Sequence, residues 1–193
     1  MVELNPKQVR GYWDDGFTLD RHIQSSEYIG DNEYGHPQFD TTRTELGEAL
    51  YRLKYRADET TVPVIARAAS DFVKSWNPGV DLIVPVPPSK ARVVQPLFQI
   101  ADEVGRFLSL PVDKTSVRKT KATPELKNVD HAKRLELLGG AHSIEGDGLR
   151  DRRVLLLDDL YQSGATLNAI ARLLNEAGGV SAVFALALTR ARS

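Results

Sequence analysis

The chain has 193 residues, 41% hydrophobic and 26% charged, with a formal net charge of −1 and no cysteine. A core of useful size fits that length and composition. Disulfides and thiolate metal sites are excluded, bulk electrostatic binding to nucleic acid is disfavoured, and no apolar run reaches bilayer length. With no signal-peptide core at the N-terminus, the expected location is cytoplasmic and a membrane is not an expected partner.

Residues 1–43 differ in character from the rest. They hold Tyr12, Trp13, Phe17, Tyr28, Tyr34 and Phe39 but few aliphatic residues. Gly16 to His22 alternates as a half-exposed strand does, and Asp15-Gly16 and Gly30-Asp31-Asn32 read as turns. The expectation is a small hairpin or hood packed on a main domain of residues 44–193. Its aromatics either seal one edge of a sheet or, through Tyr28 and Tyr34, help form a pocket for a flat ring. His22 and His36, with Asp20 and Asp40, match no metal-site spacing.

Thr44 caps a helix whose apolar stripe is Leu46, Leu50 and Leu53, followed by the basic stretch Leu53-Lys54-Tyr55-Arg56. A second helix spans 62–76, with Pro63 in its first turn and Asn77-Pro78-Gly79 as its stop. Val80 to Val86 is a buried strand ending in Pro85-Val86-Pro87-Pro88-Ser89-Lys90. The prolines forbid ladder pairing and stiffen the turn. Pro87, Pro88, Ser89 and Lys90 thus form either a rigid connection with a surface cation or a loop for a diphosphate. A helix from Gln95 to Leu108 and a strand from Leu110 to Val112 follow. The run from Val117 to Lys127 is basic and aperiodic around Pro124. It reads as a long loop in which Arg118, Lys119 and Lys121 could neutralise charge on a leaving group. Asn128 to Leu138 has a helical pattern, and Ala141 to Ile144 reads as an edge strand.

The sequence then concentrates its chemistry. Arg153 to Leu157 is a buried-strand run, Asp158 and Asp159 are paired acids, and Tyr161-Gln162-Ser163-Gly164-Ala165-Thr166 leads directly into a helix closed by Gly178-Gly179. Unpaired N–H groups at a helix start bind phosphate. Gly164 permits close backbone approach, and the hydroxyls of Ser163 and Thr166 add hydrogen bonds. Two carboxylates beside such a loop suit a vicinal diol, so the string describes a ribose-5-phosphate site. A cap alone accounts for neither the paired acids nor the glycine. The last strand is Val180 to Leu188, with Thr189-Arg190 at its end.

This ordered string closely resembles the phosphoribosyl pyrophosphate (PRPP) loop of type I phosphoribosyltransferases. Residues 51–190 resemble the ComF-like, competence-associated branch. The matching pieces are Leu53-Lys54-Tyr55, Asp81 to Pro87, Thr123 with Leu126 and Arg134, Val154 to Leu167, and Ala177-Gly178-Gly179. The resemblance implies an α/β fold, a mostly parallel sheet with helices on both faces, plus the N-terminal hood. It implies that Asp158 and Asp159 bind ribose hydroxyls, that Tyr161 to Thr166 cradle the 5′-phosphate, and that Pro87 to Lys90 line the diphosphate loop. Arg118, Lys119 and Lys121 are similar to the basic mobile loop of orotate phosphoribosyltransferases, which implies a catalytic role for them. Mg²⁺ would arrive with PRPP, held mainly by the ligand's own oxygens, with no dedicated protein metal site.

The chain departs from that pattern in three places. It cannot carry the cysteine zinc ribbon typical of ComF-like proteins. Val93 to Gln99 replaces their Arg-Gly-Phe-Asn-Gln block. Gln162 stands where purine enzymes often place an aspartate base, and glutamine takes no proton at neutral pH. The expected function is transfer of ribose-5-phosphate from PRPP to an unidentified small, base-like acceptor, in nucleotide metabolism. The alternative is a non-catalytic PRPP or nucleotide sensor, or an accessory protein in DNA uptake. A homodimer is left open. A DNA-binding adaptor is disfavoured by the charge.

Overall fold

The computed structural model describes residues 2–88, 94–120 and 141–191. Nine strands and four α-helices are found among them. In chain order these are β1 (Lys7–Gln8), β2 (Asp15–Arg21), β3 (Ile23–Asp31), β4 (Pro37–Arg43), α1 (Glu45–Arg56), α2 (Val62–Trp76), β5 (Leu82–Pro85), α3 (Pro96–Leu108), β6 (Val117–Lys119), β7 (His142–Ile144), β8 (Arg153–Tyr161), α4 (Ala165–Leu173) and β9 (Ala182–Arg190).

The central sheet has the order β1-β2-β9-β8-β5. β2, β9, β8 and β5 are mutually parallel, and β1 is antiparallel at the edge. Parallel strands covered on both faces read as continuous apolar runs. Accordingly, Val154 to Leu157 of β8 and all of β9 are buried. Cross-strand register puts Phe17, Phe184 and Ile83 on one face. There Phe72 and Trp76 of α2 pack edge-on to Phe17, with ring centres 5.3 and 5.2 Å away, and Trp76 meets Phe184 at 5.8 Å. Gly105 of α3 lies over Ile83 of the same face. On the opposite face Trp13 covers Gly16, and Gly11 touches both Trp13 and Asn168 of α4. The molecule is therefore mixed α/β, with a mostly parallel sheet between helices.

Local chemistry sets the helix ends. Thr44 accepts from the Gly47 N–H at 3.0 Å, capping α1. Pro63 and Pro96 occupy first turns. Ala57, Asn77 and Ser109 close α1, α2 and α3 in the left-handed conformation. After Leu173 the backbone widens into a π turn, Leu174–Gly178, which Gly179 ends at φ +61°.

The N-terminal stretch does not form one hood. It divides at His22, whose N–H donates to the Arg190 carbonyl at 2.8 Å. Before that point the chain belongs to the main sheet. β2 is not half-exposed: Thr18, Leu19 and Asp20 are all buried. Alternation failed as a guide because both faces of β2 are covered, and its polar groups have partners inside. Arg190 donates to the Thr18 hydroxyl at 3.2 Å and to the Asn5 carbonyl at 2.8 Å. After His22, β3 and β4 form a separate two-stranded ribbon. Tyr28, Ile29 and Phe39 are exposed on it, and Tyr34 at its tip is 76% exposed.

Two smaller expectations also change. Pro85 does not end the ladder early: it pairs with Leu157 as the last residue of β5, and the Val86 N–H continues to the Leu157 carbonyl at 2.9 Å. A proline costs nothing where the following residue supplies the donor. The expected strand at Leu110 to Val112 is reduced to one parallel bridge, Val112 to Ile83. The helical pattern at Asn128 to Leu138 lies outside the described residues.

Candidate functional site

The parallel strands β2, β9, β8 and β5 end on one edge. From β5 the chain moves outward to the Val112 bridge, whereas from β8 it moves through α4 to β9. The strand order therefore reverses between β5 and β8, and the carboxyl-end crevice of such a reversal is where open α/β sheets bind ligands. Asp158 to Tyr161 are the last residues of β8, Gln162 to Gly164 join it to α4, and Pro87 and Pro88 lie just beyond β5. The structure brings these two loops together across the Val86–Leu157 hydrogen bond. Ser89 and Lys90, the rest of that expected loop, lie outside the described residues.

The loop after β8 leaves the start of α4 without a side-chain cap. Gly164 is the N-cap of α4, at φ +70° and ψ 2°, and no side chain caps the helix. The first intrahelical hydrogen bond runs from the Asn168 N–H to the Gly164 carbonyl at 2.8 Å. The N–H groups of Ala165, Thr166 and Leu167 precede that bond, so they have no acceptor within the helix. A Cβ on Gly164 would come within 2.7 Å of the Tyr161 hydroxyl oxygen, so the ring of Tyr161 presses on the turn. Ala165 is buried against Ala141 and can offer a ligand only its backbone. Gln162 is exposed, and Ser163 and Thr166 are half-buried.

The paired acids differ from each other. The Asp159 N–H donates to Asp158 Oδ1 at 2.8 Å. Burial, together with the neighbouring Asp159 charge, pushes the Asp158 carboxyl up to about 7. Asp159 is instead met by Lys54, with Nζ 2.6 Å from Oδ2. Lys54 projects from the end of α1, so that helix carries a cation from the N-terminal side of the molecule to the strand end. Behind Asp159, Thr189 donates its hydroxyl to the Asp159 carbonyl at 3.0 Å and lies 3.3 Å from His22 Nδ1. Burial, then Lys54 and Arg43, hold the His22 imidazole below its ordinary pKa.

Lys54, Asn168 and His22 are site-supporting residues that sequence reasoning did not select. Asn168 donates to the Gly164 carbonyl at 2.9 Å and accepts from the Tyr12 N–H at 2.9 Å, tying the Gly164 turn to the N-terminal segment. Its signal was its place one turn after Gly164. Lys54 lies off the buried stripe of α1, which marks a residue free to reach elsewhere but does not name its partner.

The basic candidates separate. Arg118 is exposed on β6 and paired with Glu145 at 2.8 Å. Lys119 is in register with His142, next to Ala141, which packs on Ala165 at the start of α4. The β6–β7 ribbon thus brings the Lys119 backbone toward the start of α4. Lys121 lies outside the described residues. Among the described residues, no group of three or more His, Asp or Glu side chains could hold a metal, and no helix is long and apolar enough to cross a membrane.

Comparison with known proteins bears on the fold. No family model matches the chain. Two solved structures share its fold at a TM-score of 0.50 and 12% identity. One is adenine phosphoribosyl transferase from Trypanosoma brucei in complex with AMP, pyrophosphate and ribose-5-phosphate, matched over 98% of this chain and 87% of that one. The other is adenine phosphoribosyltransferase from Leishmania donovani, matched over 96% and 86%. The fold is that of the type I phosphoribosyltransferases. In sequence the chain is similar to the competence protein ComFC of Bacillus subtilis (strain 168), at 28% identity over 146 residues. That match covers 75% of this chain and 60% of ComFC.

Proposed function

We propose that the protein is a PRPP-dependent phosphoribosyltransferase. The observation that carries this reading is the join of β8 to α4. Two carboxylates at the strand end are followed at once by a glycine N-cap and three helix N–H groups without helical acceptors. Asp158 and Asp159 would hold the ribose diol, and Ser163 to Thr166 the 5′-phosphate. Pro87 and Pro88 would border the diphosphate, with Lys119 beside it. An acceptor's lone pair would form the new bond at the anomeric carbon. The carbon–oxygen bond to diphosphate would break with its electron pair, releasing pyrophosphate, and the acceptor would lose a proton. Such a transition state is rich in oxocarbenium character, so fixed carboxylates near the ring and cations near the leaving group act in the required directions.

Lys54 has a defined part in this scheme. With no ligand it neutralises Asp159, and an entering sugar competes for the same carboxylate. The lysine is then released toward the incoming phosphates. Mg²⁺ would be held mainly by the oxygens of PRPP, with Asp158 or Asp159 as the kind of carboxylate donor such an ion takes. When bound it would offset the diphosphate charge.

The name of the relative supports a second reading. ComFC is described as a competence protein, so the same site could serve a non-catalytic PRPP or nucleotide sensor in DNA uptake. Incubation with PRPP, Mg²⁺ and a panel of bases, with pyrophosphate release as the readout, separates the two. Release that depends on one base supports the transferase. Tight PRPP binding with no release under any base supports the sensor.

A further inference from the structure

The β3–β4 ribbon carries a surface that the body of the molecule leaves uncovered. Of the eight large apolar side chains exposed among the described residues, Tyr28, Ile29, Tyr34 and Phe39 lie on it. Tyr28 and Phe39 are cross-strand partners with ring centres 5.8 Å apart, yet each stays more than half exposed. Exposed apolar side chains clustered in this way mark an interaction surface. The next pair along the ribbon is Glu27 opposite Asp40, and strand alternation turns it to the other face. Like charges directly opposite each other destabilise a ribbon. Among the described residues neither acid makes an ion pair. Residues 23–42 add Asp31 and Glu33 and contain no lysine or arginine.

A complementary surface lies at the far end of α1. Tyr55 is exposed there, its ring centre 5.0 Å from that of Tyr51. Arg56 follows, with its guanidinium 5.7 Å from the Tyr51 ring centre. Arg52 is taken by Asp58 and Lys54 by Asp159, but Arg56 has no acid partner among the described residues. The ribbon thus offers rings beside unpaired acids, and the helix end offers a ring beside an unpaired cation. The two surfaces sit at opposite ends of α1. The ribbon enters the helix at Thr44, and Arg56 ends it about 18 Å away. No ion pair or ring contact among the described residues joins them within one chain. One chain therefore holds both halves of a contact that two chains can make reciprocally about a two-fold axis.

We propose that the protein forms a two-fold dimer in which the ribbon of each copy lies against the Tyr55–Arg56 end of α1 in the other. Arg56 of one copy offsets the Glu27–Asp40 repulsion of the other. The ribbon is only two strands wide, with about 5 Å between strands, so the docked surface wraps its edge and Tyr55 reaches the Tyr28–Phe39 pair. Other occupants fit less well. Ribbon against ribbon would set these acids against their own copies. Nucleic acid and anionic lipid surfaces are repelled by the same acids. The contact is independent of the transferase reading, because it uses no residue assigned to the sugar or its phosphates.

Sedimentation equilibrium on the full chain tests this, with circular dichroism to show that each variant is folded. The native protein should be in monomer–dimer equilibrium or fully dimeric. Glu27→Lys with Asp40→Lys should raise the dimer dissociation constant about tenfold or more, and Arg56→Glu should do the same. The three reversals combined in one chain should restore association toward the native constant, which a merely structural role for these residues would not produce. Tyr28→Ser with Phe39→Ser removes the ring contact without changing charge. It should also weaken the dimer, and it serves if the charge-reversed ribbon does not fold. A monomer at every concentration overturns the inference, whatever else the ribbon then binds. So does a dimer that the reversals and the ring removal leave unchanged. A dimer weakened by each reversal but not restored by their combination also overturns it, because the ribbon and the end of α1 then do not meet.

Discussion

Strands β3 and β8 are each nine residues long, yet they solve opposite problems. β8 lies between β5 and β9, and its first half is an apolar run buried on both faces. That burial fixes the strand, so the last residues, Asp158 to Tyr161, emerge at a defined point with defined neighbours. β3 has one partner, β4, and its side chains face solvent on both sides. A lone two-stranded ribbon is marginally stable in water. The ribbon is anchored at its root, through His22, Thr44 and the Arg43–Glu48 pair. A chemical site gains precision from the first arrangement. The second can tolerate change at its tip.

Truncations sharpen this contrast most. Leu156→Ala, in a fully buried part of β8, should cost about 2–5 kcal/mol of stability, whereas Ile29→Ala in β3 should change it by less than about 0.5 kcal/mol. Chemical denaturation measures both, and similar losses would break the comparison. A middling effect is expected at the phosphate turn. Gly164→Ala puts a side chain at φ +70° and against the Tyr161 ring, so it should cost about 1 kcal/mol or more and weaken phosphate binding in the same sample.

The pH dependence tests the electrostatics at the end of β8. The Asp158 carboxyl is raised to about 7, above its ordinary value of 3.8. A carboxyl raised on folding stabilises the protein while protonated, so this contribution is present below pH 4 and is lost as pH rises toward and past 7. Asp158→Asn should remove that slope from the unfolding free energy measured between pH 5 and 8. An identical slope in the variant would contradict the assignment. Smallest is Lys54→Gln. Partly exposed ion pairs contribute about 0–1 kcal/mol, so the melting temperature should barely move. The titration of Asp158 should shift further upward, because Lys54 lowers it; carboxyl NMR resonances report that shift.

The sequence made the site strand legible and left the N-terminus misread, and the reasons are physical. β8, its loop and α4 are contiguous, so local rules for buried runs, caps and glycine suffice there. β2 is contiguous too, but its burial depends on β9, whose paired residues lie about 170 positions later. No local pattern reports a parallel partner at that separation, and Thr18 and Asp20 looked like a solvent face. Lys54 and Asp159 are likewise joined only by the fold. The aromatics of 1–43 were easy to see but uniform in appearance. Trp13 and Phe17 were drawn into the core because Gly16 and the α2 rings receive them, and Tyr28 and Tyr34 had no such receiver.

The most direct test of the central claim is a calorimetric titration of PRPP with Mg²⁺ into the native protein and into the Asp158→Asn, Asp159→Asn double variant, with circular dichroism to show that both are folded. Hydrogen bonds to charged groups contribute about 1.5–3 kcal/mol, so the account predicts saturable one-site binding that weakens at least tenfold in the variant. Unchanged affinity in a folded double variant, or no binding by the native protein, would contradict it.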